Sequence, residues 1–336
     1  MTNLFFGNGL ASSISVLLSL PTLSLNLIAS DVRIQRMAQA WLGNWPGLPT
    51  DAAAPSVQFH LHLVETLPPR PQTTPLFAAP PPSPLTVYPG PTGGFGFAFP
   101  EGGWVDVPAQ PDSTQPLVGW LTPGLLDSGR FEDLFWVAVA PWLRQRGLFL
   151  VHGFAAASPD QQQAILLVGR SGSGKTTTGL ALLQAGWRYL ANDVVLLRAT
   201  PEGVMALPTP GDAITVRPKT LELLPGLRPH LSPTEAHKGQ IQVQAVAAGW
   251  AEPGRVTGVY FPRVDGGRTT LQPLSKAIAW SKLMEESVDR WDAAALPAHL
   301  ELLSQLTRQA HLFDLCLGPD VGELVGTLGT QRNSPG

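Results

Sequence analysis

Apolar and polar residues alternate through "VQFHLHLVE" (57–65), a period of two that predicts a strand with one buried face. Around it lie "LTVYPG", which ends in a turn signal, and "GGFGFAFPEGGWVDV", which reads as a hairpin of short strands. Prolines crowd the interval from Pro68 to Pro111, for example "LPPRPQTTPLFAAPPPSPL", and such a run cannot sustain a helix. Nearer the N-terminus, "LASSISVLLSLPTLSLNLIAS" is broken by serines and a proline and reads as strand and turn, with a helix following near "DVRIQRMAQAWLG". Residues 1–128 therefore read as a smaller, mostly β domain, a candidate for binding a substrate or partner.

From residue 129 the period changes. "GRFEDLFWVAVAPWLRQRG" (129–147) repeats its apolar residues every three or four and stops at Gly147, which predicts a helix. Strand "LFLVHGFAAAS" (148–158), loop "PDQQQ", strand "AILLVG", a glycine-rich loop, a helix over 175–185 and a strand containing "YLANDVVLL" follow in order, an α/β succession. "QIQVQAVA" and "GRVTGVYFPRV" predict further strands, and "SKAIAWSKLMEES" and "PAHLELLSQLTRQAHLF" closing helices. The second domain is placed at 129–328, and the tail 329–336 reads as disordered.

Composition narrows the partners. Of 336 residues 44% are hydrophobic and 14% charged, and the net charge is -3, so neither nucleic acid nor an anionic membrane is globally attracted. No Lys or Arg precedes the broken apolar stretch near the N-terminus, which argues against an export signal or a membrane span and for a cytoplasmic protein. The single cysteine, Cys316, excludes an intramolecular disulfide and a cysteine-rich zinc site. The histidines lack paired metal-ligand spacing, and His60-x-His62 is explained by one face of a strand.

The chemistry concentrates in "ILLVGRSGSGKTTT". Gly169, Arg170, Ser171, Gly172, Ser173, Gly174, Lys175 and Thr176 fit G-x-x-x-x-G-K-[ST] between an apolar strand and a helix, with Thr177 next in line. In such a phosphate loop, glycines let successive backbone N–H groups turn toward phosphate oxygens, and the helix N-terminus adds partial positive charge. Lys175 would meet the β- and γ-phosphates of ATP or another nucleoside triphosphate, and the Thr176 hydroxyl would take a Mg²⁺ position. A transporter ATPase would also need an LSGGQ-type signature and an apolar run ending in Asp-Glu; neither occurs.

"GLFLVHGFAAAS" and "LLVGRSGSGKTTTGLALLQAGWRYLANDVVLL", with the interval between them, resemble the catalytic domain of HPr kinase/phosphorylase over roughly residues 130–265. The resemblance implies an α/β chain with an HPr-kinase-like P-loop domain, related in fold to phosphoenolpyruvate carboxykinase. It also implies that His152, on the strand before the loop, approaches the reacting phosphoryl group. The family carries two adjacent aspartates where this chain has Asn192-Asp193. One carboxylate of that pair would help hold Mg²⁺ and the other would accept the proton of the attacking hydroxyl. The spacing aligns Asn192 with the base position and Asp193 with the metal position. An amide cannot take up a proton as a carboxylate does, so Asn192 is left to orient the acceptor while Asp193 or His152 receives the proton. Among the scattered basic residues, Arg217 and Lys238 are the candidate substrate contacts.

The activity implied is ATP- and Mg²⁺-dependent phosphoryl transfer to a hydroxyl on a small protein, a peptide or a small molecule, with homo-oligomerisation left open. The alternative is a nucleotide-binding module or slow ATPase that recruits a partner without transferring phosphate.

Overall fold

The broken apolar run near the N-terminus folds as two antiparallel strands, β1 (Ile14–Leu20) and β2 (Leu23–Ala29), because its proline and serines interrupt any longer element. The structure, a computed structural model, describes residues 14–20, 23–43, 45, 47–48, 54–79, 85–112, 114–161, 163–233 and 239–321. It divides into two units: Met1–Arg146 with Arg290–Ala295, and Gly147–Asp289 with Leu296–Gly336.

In the first unit Asp31 caps helix α1 (Val32–Leu42), its carboxylate accepting the Arg33 N–H at 2.8 Å. Strand β3 (Ser56–Leu63) buries Val57, Phe59 and Leu61, as its alternation predicts. With β4 (Phe77–Ala78), β5 (Thr86–Pro89), β6 (Phe95–Phe99), β7 (Gly103–Val107) and β8 (Leu117–Leu121) it forms an eight-stranded sheet, ordered β1-β2-β3-β8-β7-β6-β5-β4. Helices α2 (Pro123–Asp127) and α3 (Phe131–Gln145) follow. A boundary at 128/129 puts α3 in the second domain, yet the helix groups with the first unit. The reason is aromatic packing: Phe135 meets Trp41 at 4.6 Å and Phe59 at 6.0 Å between ring centroids. Near the end of α3, buried Arg144 donates from Nε to Asp292 Oδ2 at 2.7 Å and lies over the Trp291 ring, which ties the short segment Arg290–Ala295 to this unit.

The second unit holds a seven-stranded sheet. Strands β9 (Leu148–Ala157) and β10 (Ala164–Val168) lead to helix α4 (Lys175–Gln184), then β11 (Arg188–Thr200) and β12 (Gly203–Leu207). A small sheet of β13 (Ala213–Val216), β14 (Leu231–Pro233) and β15 (Gly239–Gln242), with helix α5 (Pro218–Leu223), precedes β16 (Gly254–Val264) and β17 (Thr270–Pro273). Helices α6 (Lys276–Glu285) and α7 (Leu296–Gln309) and strand β18 (His311–Leu317) close the unit. The large sheet is ordered β10-β9-β11-β12-β16-β18-β17, and β10 also pairs in parallel with β16, so five strands form a closed circuit. The segment "HLF" (311–313), predicted as the end of a helix, instead opens β18, where "HLFDLCL" pairs in parallel with β16.

β10 explains where a site forms. All five residues of its "AILLV" are buried, as a strand covered on both faces requires. Ala164, Leu166 and Val168 join the cluster containing Leu283 of α6 and Leu303 of α7, whereas Ile165 and Leu167 join Leu180 and Leu183 of α4. The carboxyl end of β10 is therefore fixed between α6 and α4, and the glycine-rich loop leaves from that point.

The same unit contains a titratable group with a large shift. Tyr260 of β16 stacks on Phe313 at 5.3 Å, and burial pushes its phenol up to about 12 from the usual 10.0. A raised folded value means that the unfolded chain ionises first. The stability contributed by the neutral phenol is present below pH 10.0 and is lost as pH rises through about 12. In an alkaline absorbance titration, Tyr260→Phe is expected to remove a phenolate step near pH 12.

Candidate functional site

The loop between β10 and α4 turns on glycines. Gly172 and Gly174 take φ of 85° and 108°, left-handed values that suit a residue without a Cβ, and a side chain at Gly174 would run into Leu317. Gly174 caps α4 with its backbone, and no side-chain hydrogen bond from the cap residue occupies the helix N-terminus. The first-turn N–H groups of α4 and their share of the helix dipole thus lie where the loop ends.

Lys175, the first residue of α4, is buried and turns back over the loop. Its Nζ donates to the carbonyl oxygens of Gly169 and, at 3.1 Å, Arg170, and to His152 Nε2 at 3.0 Å, so all three ammonium N–H groups are engaged. Burial lowers the Lys175 pKa, while the Asp193 and Glu286 carboxylates work against that shift. His152, on β9, pairs through Nδ1 with the Asp193 carbonyl oxygen at 3.0 Å. A carbonyl can only accept and an ammonium can only donate, so these partners assign a neutral imidazole with its proton on Nδ1. Burial, then the Lys175 charge, lowers the His152 pKa, in keeping with the neutral ring. The imidazole therefore bonds to the backbone of Asp193, and Lys175 is its side-chain partner.

Asn192 and Asp193 sit on β11 opposite Phe154 and Gly153 of β9, one step from the Val194–His152 pair. Asp193 takes φ of 65°, a left-handed value that aspartate tolerates better than most residues. This backbone twist turns two neighbouring side chains of one strand toward each other: Asn192 Nδ2 donates to Asp193 Oδ2 at 2.9 Å. Asp193 is exposed and Asn192 half-buried.

The remaining predicted residues fall into three groups. Arg170 pairs with Glu285 at 3.3 Å and Arg217 donates to Ser171 Oγ at 3.3 Å, so Arg217 does reach the loop. Thr176 is half-buried beside Lys175, but Thr177 is buried and shares a 2.9 Å hydrogen bond with Thr220, which ties α4 to α5. Lys238 and the tail 329–336 lie outside the described residues. Among the described residues no group of three or more His, Cys, Asp or Glu side chains is arranged to hold a metal ion.

No family model matches this sequence, and no curated protein matches it. Among solved structures, the chain is similar to the Hpr(Ser) kinase/phosphatase from Coxiella burnetii, with a TM-score of 0.27 and 10% identity over 55% of this chain and 97% of that one. No helix among the described residues is long and apolar enough to cross a membrane.

Sequence reasoning did not find the carboxylates that α6 brings to the loop. Glu285 and Glu286, with Gly169, Arg170, Phe261 and Lys282, line a cavity of about 240 Å³. Lys282 also pairs with Asp314 at 3.4 Å, and Asp314 takes Arg263 Nε at 2.8 Å. Two glutamates at the end of a helix more than a hundred residues downstream carry no local signal. Only the closure of β16 on β10 and the docking of α6 bring them to the loop.

Proposed function

We propose that this chain is an ATP- and Mg²⁺-dependent phosphotransferase acting on a serine-type hydroxyl of a small protein, a peptide or a small molecule. The observation that carries the reading is the convergence of Lys175, His152, Asp193 and Glu286 at a glycine loop that ends in a helix N-terminus without a side-chain cap. The donors present suit the ligand: backbone N–H groups and an ammonium for phosphate oxygens, and an exposed carboxylate and a hydroxyl for a hard cation. Thr176 and Asp193 would hold Mg²⁺, which keeps most of its shell as water and phosphate oxygens and so needs no three-residue protein cluster. When bound, ATP supplies the phosphoryl group and Mg²⁺ offsets its charge.

The chain's own residues do the rest. Lys175 binds phosphate by releasing at least one of its three present acceptors, since it has no free N–H. His152 orients that ammonium through Nε2 while its Nδ1 proton fixes the ring on the Asp193 carbonyl. Asn192 holds Asp193 Oδ2 through its amide. Because the transition state of phosphoryl transfer is loose, such positioning and charge supply most of the acceleration.

The second reading, a nucleotide-binding module or slow ATPase, draws on the Asn192 amide, which cannot accept a proton. Incubation with γ-labelled ATP and serine-containing acceptors from a cell extract separates the two. Label on an acceptor that disappears in Lys175→Met is the expected result. Nucleotide bound with no label transferred would overturn the kinase reading, and phosphate released to water alone would establish the ATPase.

A further inference from the structure

The carboxylate that position 192 lacks has a counterpart from another part of the chain. Glu286 follows the last turn of α6, and its carbonyl accepts the His152 N–H at 2.8 Å. That bond pins it to β9, beside the imidazole that holds Lys175. Glu286 lines the cavity together with Gly169, Arg170 and Phe261. The neighbouring acids are already engaged: Glu285 by Arg170 and Asp193 by Asn192. The Glu286 carboxylate, by contrast, takes no hydrogen bond and forms no ion pair among the described residues. Its charge is nonetheless felt by both Lys175 and His152, raising each pKa against the effect of burial.

We propose that Glu286 is the base that takes the proton from the acceptor hydroxyl, an inference that rests on the phosphotransferase reading above. In this step the acceptor oxygen bonds to the γ-phosphorus of ATP. The bond from that phosphorus to the β,γ-bridging oxygen breaks, its electron pair leaving on ADP, and the hydroxyl proton moves to a Glu286 carboxylate oxygen. The cavity beside the loop is where the hydroxyl enters, and Asp193 is left to the metal. The amide at Asn192 is then no defect, because the proton acceptor comes from α6.

Glu286→Gln keeps the size of the side chain and leaves the carbonyl bond to His152 intact. It is expected to lower single-turnover transfer by about 100-fold, a general-base effect. Calorimetric affinity for a non-hydrolysable ATP analogue should stay within about twofold, with its Mg²⁺ dependence retained. Glu286→Asp should recover part of the rate, whereas Asp193→Asn should remove the Mg²⁺ dependence of binding. Wild-type rates in Glu286→Gln, with Lys175→Met inactive, would overturn the role of Glu286 and leave the phosphotransferase reading standing. Loss of analogue affinity in Glu286→Gln would also overturn it, by making Glu286 a binding residue. A wild-type protein that binds no nucleotide overturns both.

Discussion

Replacing Lys175 with methionine is expected to lower nucleotide affinity by about 100-fold and turnover by about 1,000-fold, from the loss of a charge-assisted hydrogen bond and of one donor to the transferring group. Methionine is the informative choice because Lys175 is buried at 6% exposure and its methylene stem packs under the loop. Alanine would remove that packing along with the charge. The methionine thioether keeps the volume and takes away the three N–H groups that reach Gly169 O, Arg170 O and His152 Nε2. Gly169 and Arg170 line the cavity beside the loop, so water entering it can replace the lost donor and the thermal midpoint should move little. Calorimetry reads the affinity, single-turnover transfer reads the rate, and a thermal melt checks the fold. Unchanged affinity for nucleotide would show that the loop does not hold phosphate.

Why the loop was legible in the sequence and half of its surroundings were not follows from range. Strand β10, the glycine turns and α4 are consecutive, so burial on both faces, left-handed backbone and a largely buried helix each leave a local mark in "AILLVGRSGSGKTTTGLALLQ". β9 and β11 flank β10 and α4 in sequence, and it is the family resemblance this stretch carries that points to His152 and Asn192-Asp193. Their partners were harder to foresee. That the His152 imidazole meets the backbone of Asp193 and the side chain of Lys175 depends on the β9–β11 register and the left-handed turn at Asp193. Thr177 reads as a nucleotide-binding residue by adjacency to Thr176, yet one step along α4 turns its hydroxyl to Thr220. Glu286 was invisible because its place depends on β16 closing on β10 and on α6 packing through Ala279 and Leu283. Helix α3 shows the same limit at domain scale: its period predicts a helix, but the aromatic partners Trp41 and Phe59 that assign it to the first unit lie far upstream.

Asp193→Asn should abolish nearly all turnover, by about 1,000-fold, the several kcal/mol expected when a carboxylate that anchors the metal is lost. The backbone makes this a clean test of charge. Asparagine accepts φ of 65° as readily as aspartate, so the left-handed turn, the Asp193 carbonyl bond to His152 and the β9–β11 register have no reason to change. The reciprocal change, Asn192→Asp, separates two accounts of the amide. If position 192 is a disabled base, restoring a carboxylate raises turnover. If Glu286 already serves, the new carboxylate only adds repulsion. It would take the Nδ2 donor from Asp193 Oδ2 and place a like charge beside a carboxylate that Mg²⁺ needs ionised. The expected result is a roughly tenfold fall in turnover, from like-charge repulsion beside the carboxylate that would hold the metal. Higher Mg²⁺ concentration should recover part of that fall, because metal binding favours the ionised pair. A gain in turnover from Asn192→Asp would instead return the base to β11 and release Glu286 from the chemistry.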